Sequence, residues 1–397
     1  MSLILNLLKN CFCYDGFINN LNSEITINGK SYSIKNLLYE NSTSFTYLIL
    51  NNTNNLALLK KITCFTTDDV KLTLNEIDHY RIFNNDNLIR LIDFQITQEI
   101  EDDNDSIFRL SNNQTISLDY SNQSLKICYI ILPYYPLGTL QNCITKQIIN
   151  GELQWDDSQV LQVLMTLSNG IKYLHNRNPL EKISSPDTYS KIDIKFDDLS
   201  TLKNNSPLDP LDDSYNSATL SSSTNNELEN NHYYIHMNLT PENIMIDNTQ
   251  DSQLNAIISD LSTCIPTTMI RNTIDFKEWI EDRCNIFYKS PELLNKNINL
   301  ISKKTDIWSF GCIIYQLLYG LSPFQREEQL KGASIVYSIS TCKYSIPENI
   351  EIFKDVTIKN INELNEIIKK CIQLDPSKRP TIDEIIDDLE KIKNNNV

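Results

Sequence analysis

Glycine is scarce in this chain. Only 8 of its 397 residues are glycine, and none falls between Gly29 and Gly138. That gap excludes from its span a glycine-rich turn whose backbone N–H groups close over a phosphate without Cβ clashes. Basic charge is also short: 35 Lys and Arg stand against 51 Asp and Glu, a net charge of −16. Such a surface repels a phosphate backbone, so nucleic-acid binding is not expected, and no polybasic run is present to hold anionic lipid. No apolar run approaches the ~20 residues that span a bilayer. Neither a Cys-x-x-Cys pair nor a His partner at zinc-ligand spacing occurs, and the 10 cysteines follow no secretory signal. Free thiols in a reducing, cytoplasmic setting are the expectation.

What the chain does contain is organised by period and composition. It is 41% hydrophobic over 397 residues, with material for a core and length for two lobes plus insertions. Residues 1–25 open on a short apolar patch followed by Cys11-Phe12-Cys13. Two cysteines beside apolar residues are candidates for acylation, and two acyl chains hold a membrane where one does not. Alternation predicts strands at 32–34, 45–50 and 56–60, followed by a helix over 68–83. Residues 98–124 are polar and acidic and read as a solvated loop insertion. A buried strand over 127–132 ends at Pro133-Tyr134-Tyr135-Pro136-Leu137-Gly138. Val160, Leu161, Leu164, Leu167, Ile171 and Leu174 fall on one helix face. Residues 177–231, rich in Ser, Asn, Asp and Thr, bury too little surface to offset ordering entropy and read as a disordered insertion.

The chemistry concentrates after that insertion. Residues 235–246 read Ile-His-Met-Asn-Leu-Thr-Pro-Glu-Asn-Ile-Met-Ile, and Asp260-Leu261-Ser262 follows an apolar strand. Ser290-Pro291-Glu292, Asp306-Ile307-Trp308-Ser309-Phe310-Gly311 and Asp375-Pro376-Ser377-Lys378-Arg379-Pro380 come later, while Leu58-Leu59-Lys60 lies well upstream. In this order the motifs resemble those of protein kinases. The resemblance implies an α+β, bilobal fold. Its small lobe would be an antiparallel sheet plus one helix (26–132), its hinge 133–138, and its large lobe mainly helical (139–392). It implies that Lys60 takes the phosphates of ATP and pairs with Glu76, and that backbone groups of Pro133 and Tyr135 read the adenine. Asn243 and Asp260 would hold Mg²⁺. His236 and Asp306 take structural places, and Glu292 is expected in a buried ion pair with Arg379.

The chain departs from that pattern where the phosphoryl group is handled. Asn238 stands at the position of the catalytic Asp, and an amide bears no charge and takes no proton. Thr240 replaces a lysine, Ser262 replaces a glycine, and the turn within 38–45 has no glycine. Loss of a general base typically lowers the rate by about 10²–10⁴-fold. The expectation is an inactive serine/threonine kinase fold, a protein-binding or scaffolding module with weak or absent Mg·ATP binding. The alternative is a slow but active kinase acting on protein Ser/Thr, because a loose transition state relies more on charge and alignment than on the base. A third reading is a structural module that takes no nucleotide.

A narrower resemblance rests on Cys11-Phe12-Cys13, on Leu132-Pro133-Tyr134-Tyr135 with Gly138-Thr139-Leu140, and on Trp279, Arg283 and Cys284 before Tyr288. These look like the numb-associated kinases, in particular their small lipid-anchored branch of the serine/threonine kinase sixteen type. That likeness implies a helix in the activation segment near 276–282. It also implies peripheral attachment through Cys11 and Cys13 to Golgi-type membranes. Ser2 stands where the branch carries a myristoylated glycine.

Overall fold

Alternating apolar residues in the first third of the chain build a six-stranded sheet with spatial order β1-β2-β3-β4-β6-β5, every neighbour antiparallel. Its strands are β1 (Glu24–Ile27), β2 (Lys30–Glu40), β3 (Ser44–Asn51), β4 (Leu56–Cys64), β5 (Asp93–Gln98) and β6 (Lys126–Pro133). These come from a computed structural model that describes residues 23–98, 126–150, 155–179, 232–248, 253–347 and 359–395. The β1–β2 turn is Asn28-Gly29 with φ of 47° and 74°, the left-handed pair that a two-residue hairpin requires. Asn28 Nδ2 donates to Asp93 Oδ1 at 2.7 Å, and Lys30 Nζ lies 2.9 Å from Asp93 Oδ2. The first hairpin is thereby tied to the far edge strand, so the sheet curls around Ile27, Tyr32, Ile49, Leu59 and Ile131, all buried.

Helix α1 (Thr67–Ile82) follows β4. Thr66 and Asp69 start it reciprocally: Asp69 N donates to Thr66 Oγ1 at 3.1 Å, and Thr66 N to Asp69 Oδ2 at 2.9 Å. This exchange satisfies donors that a helix start leaves open. Acidic residues in the first turn and basic ones in the last suit the helix dipole.

The chain divides into two compact units. The described residues of one fall within Gly16–Arg81 and Arg90–Tyr134, those of the other within Ile82–Ile89 and Tyr135–Val397. The units and the sequence-based boundaries differ in detail. The sheet begins at Glu24, inside the stretch assigned to the N-terminal segment. The division between the units falls inside the stretch expected as the hinge, after Tyr134. Residues 82–89, placed in the small lobe from sequence, cluster with the helical unit. The reason is backbone pairing that no periodicity reveals: Ile89 N donates to Ile258 O at 2.9 Å, and Ile258 N to Asn87 O at 2.8 Å.

The second unit contains helices α2 (Leu140–Asn150), α3 (Asp157–Asn176), α4 (Ile274–Arg283), α5 (Pro291–Leu294), α6 (Lys303–Tyr319), α7 (Pro323–Lys331), α8 (Ile335–Ser340), α9 (Ile361–Cys371) and α10 (Ile382–Asn394). Two small sheets accompany them, β7 (Tyr234–Ile235) with β10 (Ile265–Pro266) and β8 (Ile244–Asn248) with β9 (Leu254–Ile258). Helix α6 is buried from Thr305 to Tyr319, as its nearly all-round apolar sequence dictates. Gly311 is required there, since a Cβ would stand 2.6 Å from Cys371 Cβ and 2.9 Å from Ile372 Cγ1. Helix α4 covers the 276–282 stretch where the narrower resemblance places one, starting behind Thr273, whose hydroxyl accepts from Phe276 N. The 98–124 and 177–231 insertions and Cys11 and Cys13 lie, almost entirely, outside the described residues.

Candidate active site

In the sheet unit, Lys60 sits on β4 and Glu76 on α1, and Lys60 Nζ is 2.6 Å from Glu76 Oε1. Glu76 is buried, and Tyr80 donates its hydroxyl to the same oxygen at 2.6 Å. Tyr80 lies one helical turn from Glu76, so it fixes the carboxylate in place. Pro133 pairs with Ala57 at the end of β6. In the other unit, Tyr135 O accepts from Gly138 N at 2.9 Å, closing a turn that needs the left-handed φ of 77° at Gly138.

The β2–β3 hairpin carries three residues, Asn41-Ser42-Thr43. Asn41 Oδ1 accepts from Thr43 N at 3.0 Å and from Ser44 N at 2.7 Å, and Asn41 N donates to Ser44 O at 2.9 Å. This is an Asx turn. Two backbone N–H groups of the hairpin, those of Thr43 and Ser44, are thus taken by one side chain where the kinase pattern has a glycine-rich loop. Sequence reasoning registered the missing glycines but not the asparagine that takes over their donors.

The helical unit holds the rest. Asp306, at the start of α6, is 1% exposed. Its carboxylate accepts from His236 N at 2.9 Å, Met237 N at 3.0 Å and His175 Nε2 at 2.9 Å. A buried carboxylate is stable when several donors meet it, and these donors pin the 236–238 loop from beneath. His175, at the end of α3, escaped the sequence reading because it is 131 residues from its partner. Met237 has φ of 68° and packs with Ile235, Ile265, Phe276 and Ile280. An apolar side chain thus anchors the loop to α4 where the kinase pattern has an arginine. Burial holds His236 below its usual 6.5, and its Nδ1 is buried without a hydrogen-bond partner.

Asn238 Oδ1 accepts from Asn285 N at 2.9 Å. That bond orients the amide, because its NH₂ could not face another N–H. The remaining edge of the side chain is therefore a donor. Asn243 Nδ2 donates to Asn238 O at 3.0 Å, which leaves Asn243 Oδ1 on the other side of its amide. Asp260 follows β9 with φ of 52° and accepts from Ser262 Oγ at 2.7 Å. Ser262 is thus a hydrogen-bond partner of the acid rather than a source of backbone freedom. Oxygen donors from one amide and one carboxylate fit a hard cation such as Mg²⁺. Among the described residues, no cluster of three His, Cys, Asp or Glu is placed to hold a metal.

Glu292 and Arg379 are joined by two bonds of 2.6 and 2.8 Å, both side chains buried. Thr305 Oγ1 donates to Glu292 at 3.1 Å, and Arg379 also donates to Lys304 O and Gln373 O and lies over Trp308. Nearby, Lys289 Nζ donates to Ile280 O and Glu281 O in the last turn of α4, where Ile280 O also accepts from Cys284 N. Burial lowers the Lys289 pKa and pushes the neighbouring Cys284 thiol up to about 12. Every cysteine among the described residues is a free thiol.

A protein kinase domain model matches residues 228–389. The serine/threonine-protein kinase ENV7 of Saccharomyces cerevisiae is 31% identical over 99% of this chain and 99% of its own length. The serine/threonine-protein kinase ppk13 of Schizosaccharomyces pombe is 26% identical over 97% of the chain and 98% of its own. The human serine/threonine-protein kinase 16 is 21% identical over 93% of the chain and 92% of its own.

Proposed function

The chain belongs to the serine/threonine protein kinase family, and within it we propose that this protein is a pseudokinase, a protein-binding or scaffolding module that transfers phosphate negligibly. The observation that carries this is the Asn238 amide, turned by the Asn285 N–H so that a donor occupies the place where a base must accept a proton. Thr240 adds to the deficit, being a buried hydroxyl where the family carries a cation.

The residues that would serve a nucleotide remain. Lys60, steadied by Glu76, would take the phosphates of ATP, and the backbone of Pro133 and Tyr135 would read the adenine. Asn243 and Asp260 would hold Mg²⁺, which when bound neutralises phosphate charge. The Asn41 turn removes the backbone donors that normally add to this grip, so Mg·ATP binding is weak. The Lys60–Glu76 pair favours a second reading, a slow kinase. The two separate in one assay, phosphoryl transfer by wild type beside Lys60→Met and Asn238→Asp. A pseudokinase gives wild type equal to Lys60→Met. Wild-type transfer that disappears in Lys60→Met establishes the slow kinase instead.

A place in the serine/threonine kinase sixteen type branch is part of the same proposal, supported by the likeness to serine/threonine-protein kinase 16, while the wider numb-associated assignment rests on the sequence motifs alone. Peripheral attachment to Golgi-type membranes through acylated Cys11 and Cys13 goes with it, supported by the sequence pattern. Incorporation of an alkynyl palmitate that disappears in the double Cys→Ser variant checks this, and equal labelling of the variant rejects it.

A further inference from the structure

Strand β2 is 11 residues long, but its outer neighbour β1 has 4 and pairs only with Lys30–Ser33. One more rung joins Ile34 N to Ser23 O at 2.9 Å. Beyond it, from Lys35 to Glu40, no strand among the described residues lies along the outer edge of β2. All residues from Lys35 to Glu40 are exposed. The centre of this edge is apolar, with Leu37 37%, Leu38 49% and Tyr39 60% exposed. An open strand edge with large apolar side chains is a template for strand addition. Register shifts near Lys35 and Leu38 bend the strand, one way in which edges are blunted. Yet residues 36–39 carry neither charge nor proline, the stronger guards against pairing.

Charge decides what fits. Lys35 lies at one end of the open edge and Glu40 at the other. Two such edges laid parallel set Lys35 beside Lys35 and Glu40 beside Glu40. Laid antiparallel, each Lys35 approaches the Glu40 of the other copy while the leucines meet across the centre. Opposite charges across paired strands attract and like charges repel.

We propose that the outer edge of β2 is a self-association surface on which a second copy of this chain adds its own β2 antiparallel. The union joins two six-stranded sheets. The patch is small, so association is weak and concentration-dependent. The inference goes beyond the pseudokinase reading and stands without it.

The test is sedimentation velocity of the full chain over about 1–200 µM at low salt, the range in which small interfaces assemble. A monomer–dimer equilibrium is expected. Lys35→Glu, which makes both ends of the edge acidic, weakens it about tenfold. The exchange Lys35→Glu with Glu40→Lys restores it, which a merely structural role for either residue would not. Leu38→Lys abolishes it. Amide exchange at residues 35–40 slows as concentration rises, in wild type and in the double exchange. The proposal is overturned by a monomer throughout, by a dimer indifferent to Lys35→Glu, or by protection at 35–40 that does not depend on concentration. The last result would mean that a segment of the same chain covers the edge.

Discussion

At the residue scale, the proposed loss of activity turns on one position, where Asn238 stands in place of a carboxylate. Asn238 was legible as a departure because its neighbours keep their order, His236 before it and Asn243 after it. Its engagement was not legible, because Asn285 lies 47 residues downstream and only the fold brings its N–H to 2.9 Å. Asp306 repeats the lesson: its place at the head of a buried helix could be read, whereas its bond to His175 could not. Glu292 and Arg379 were named from motif spacing, and both bonds between them are present. Breaking one side of a buried, desolvated pair strands a charge, so Arg379→Met should destabilise the fold by about 3–5 kcal/mol. Urea titration checks this, and a loss below about 1 kcal/mol would show that the pair is dispensable. His236 gives a pH prediction. Its folded pKa is lowered from 6.5 by burial, so below that value the unfolded chain binds the extra proton and stability falls as the pH falls. Between pH 7.5 and 5.5, His236→Asn should flatten the slope of stability against pH. An unchanged slope would count against a buried neutral imidazole.

At the element scale, the β2–β3 hairpin and α6 show how local chemistry replaces what composition lacks. A turn without glycine was readable, but the Asx geometry that closes it depends on side-chain orientation. Asn41→Ala removes the acceptor of two backbone N–H groups, each bond worth about 1 kcal/mol. Amide exchange at Thr43 and Ser44 should then speed about five- to tenfold, and unaltered exchange would mean that another group holds the turn. Helix α6 was visible from its all-round apolar sequence, but the need for Gly311 was not, since it arises from Cys371 and Ile372. Gly311→Ala forces that packing apart and should destabilise the protein by about 1–3 kcal/mol, readable as a lowered thermal midpoint. A neutral effect would mean that α9 shifts freely.

At the scale of the whole molecule, the order of motifs along the chain was enough to read two units, one a sheet with a helix and one mainly helical. The boundaries were less legible, because residues 82–89 join the helical unit through backbone pairing with Ile258. The proposed pseudokinase keeps the Lys60–Glu76 pair in one unit and the Asp306-held loop in the other, with Asn238 at the position of the base. Single-turnover transfer from Mg·ATP to a Ser/Thr substrate, with purified protein in excess, tests this most directly. A pseudokinase gives a rate indistinguishable from that of Lys60→Met, whereas transfer at about 1–100 s⁻¹, the range of ordinary kinases, would overturn that reading.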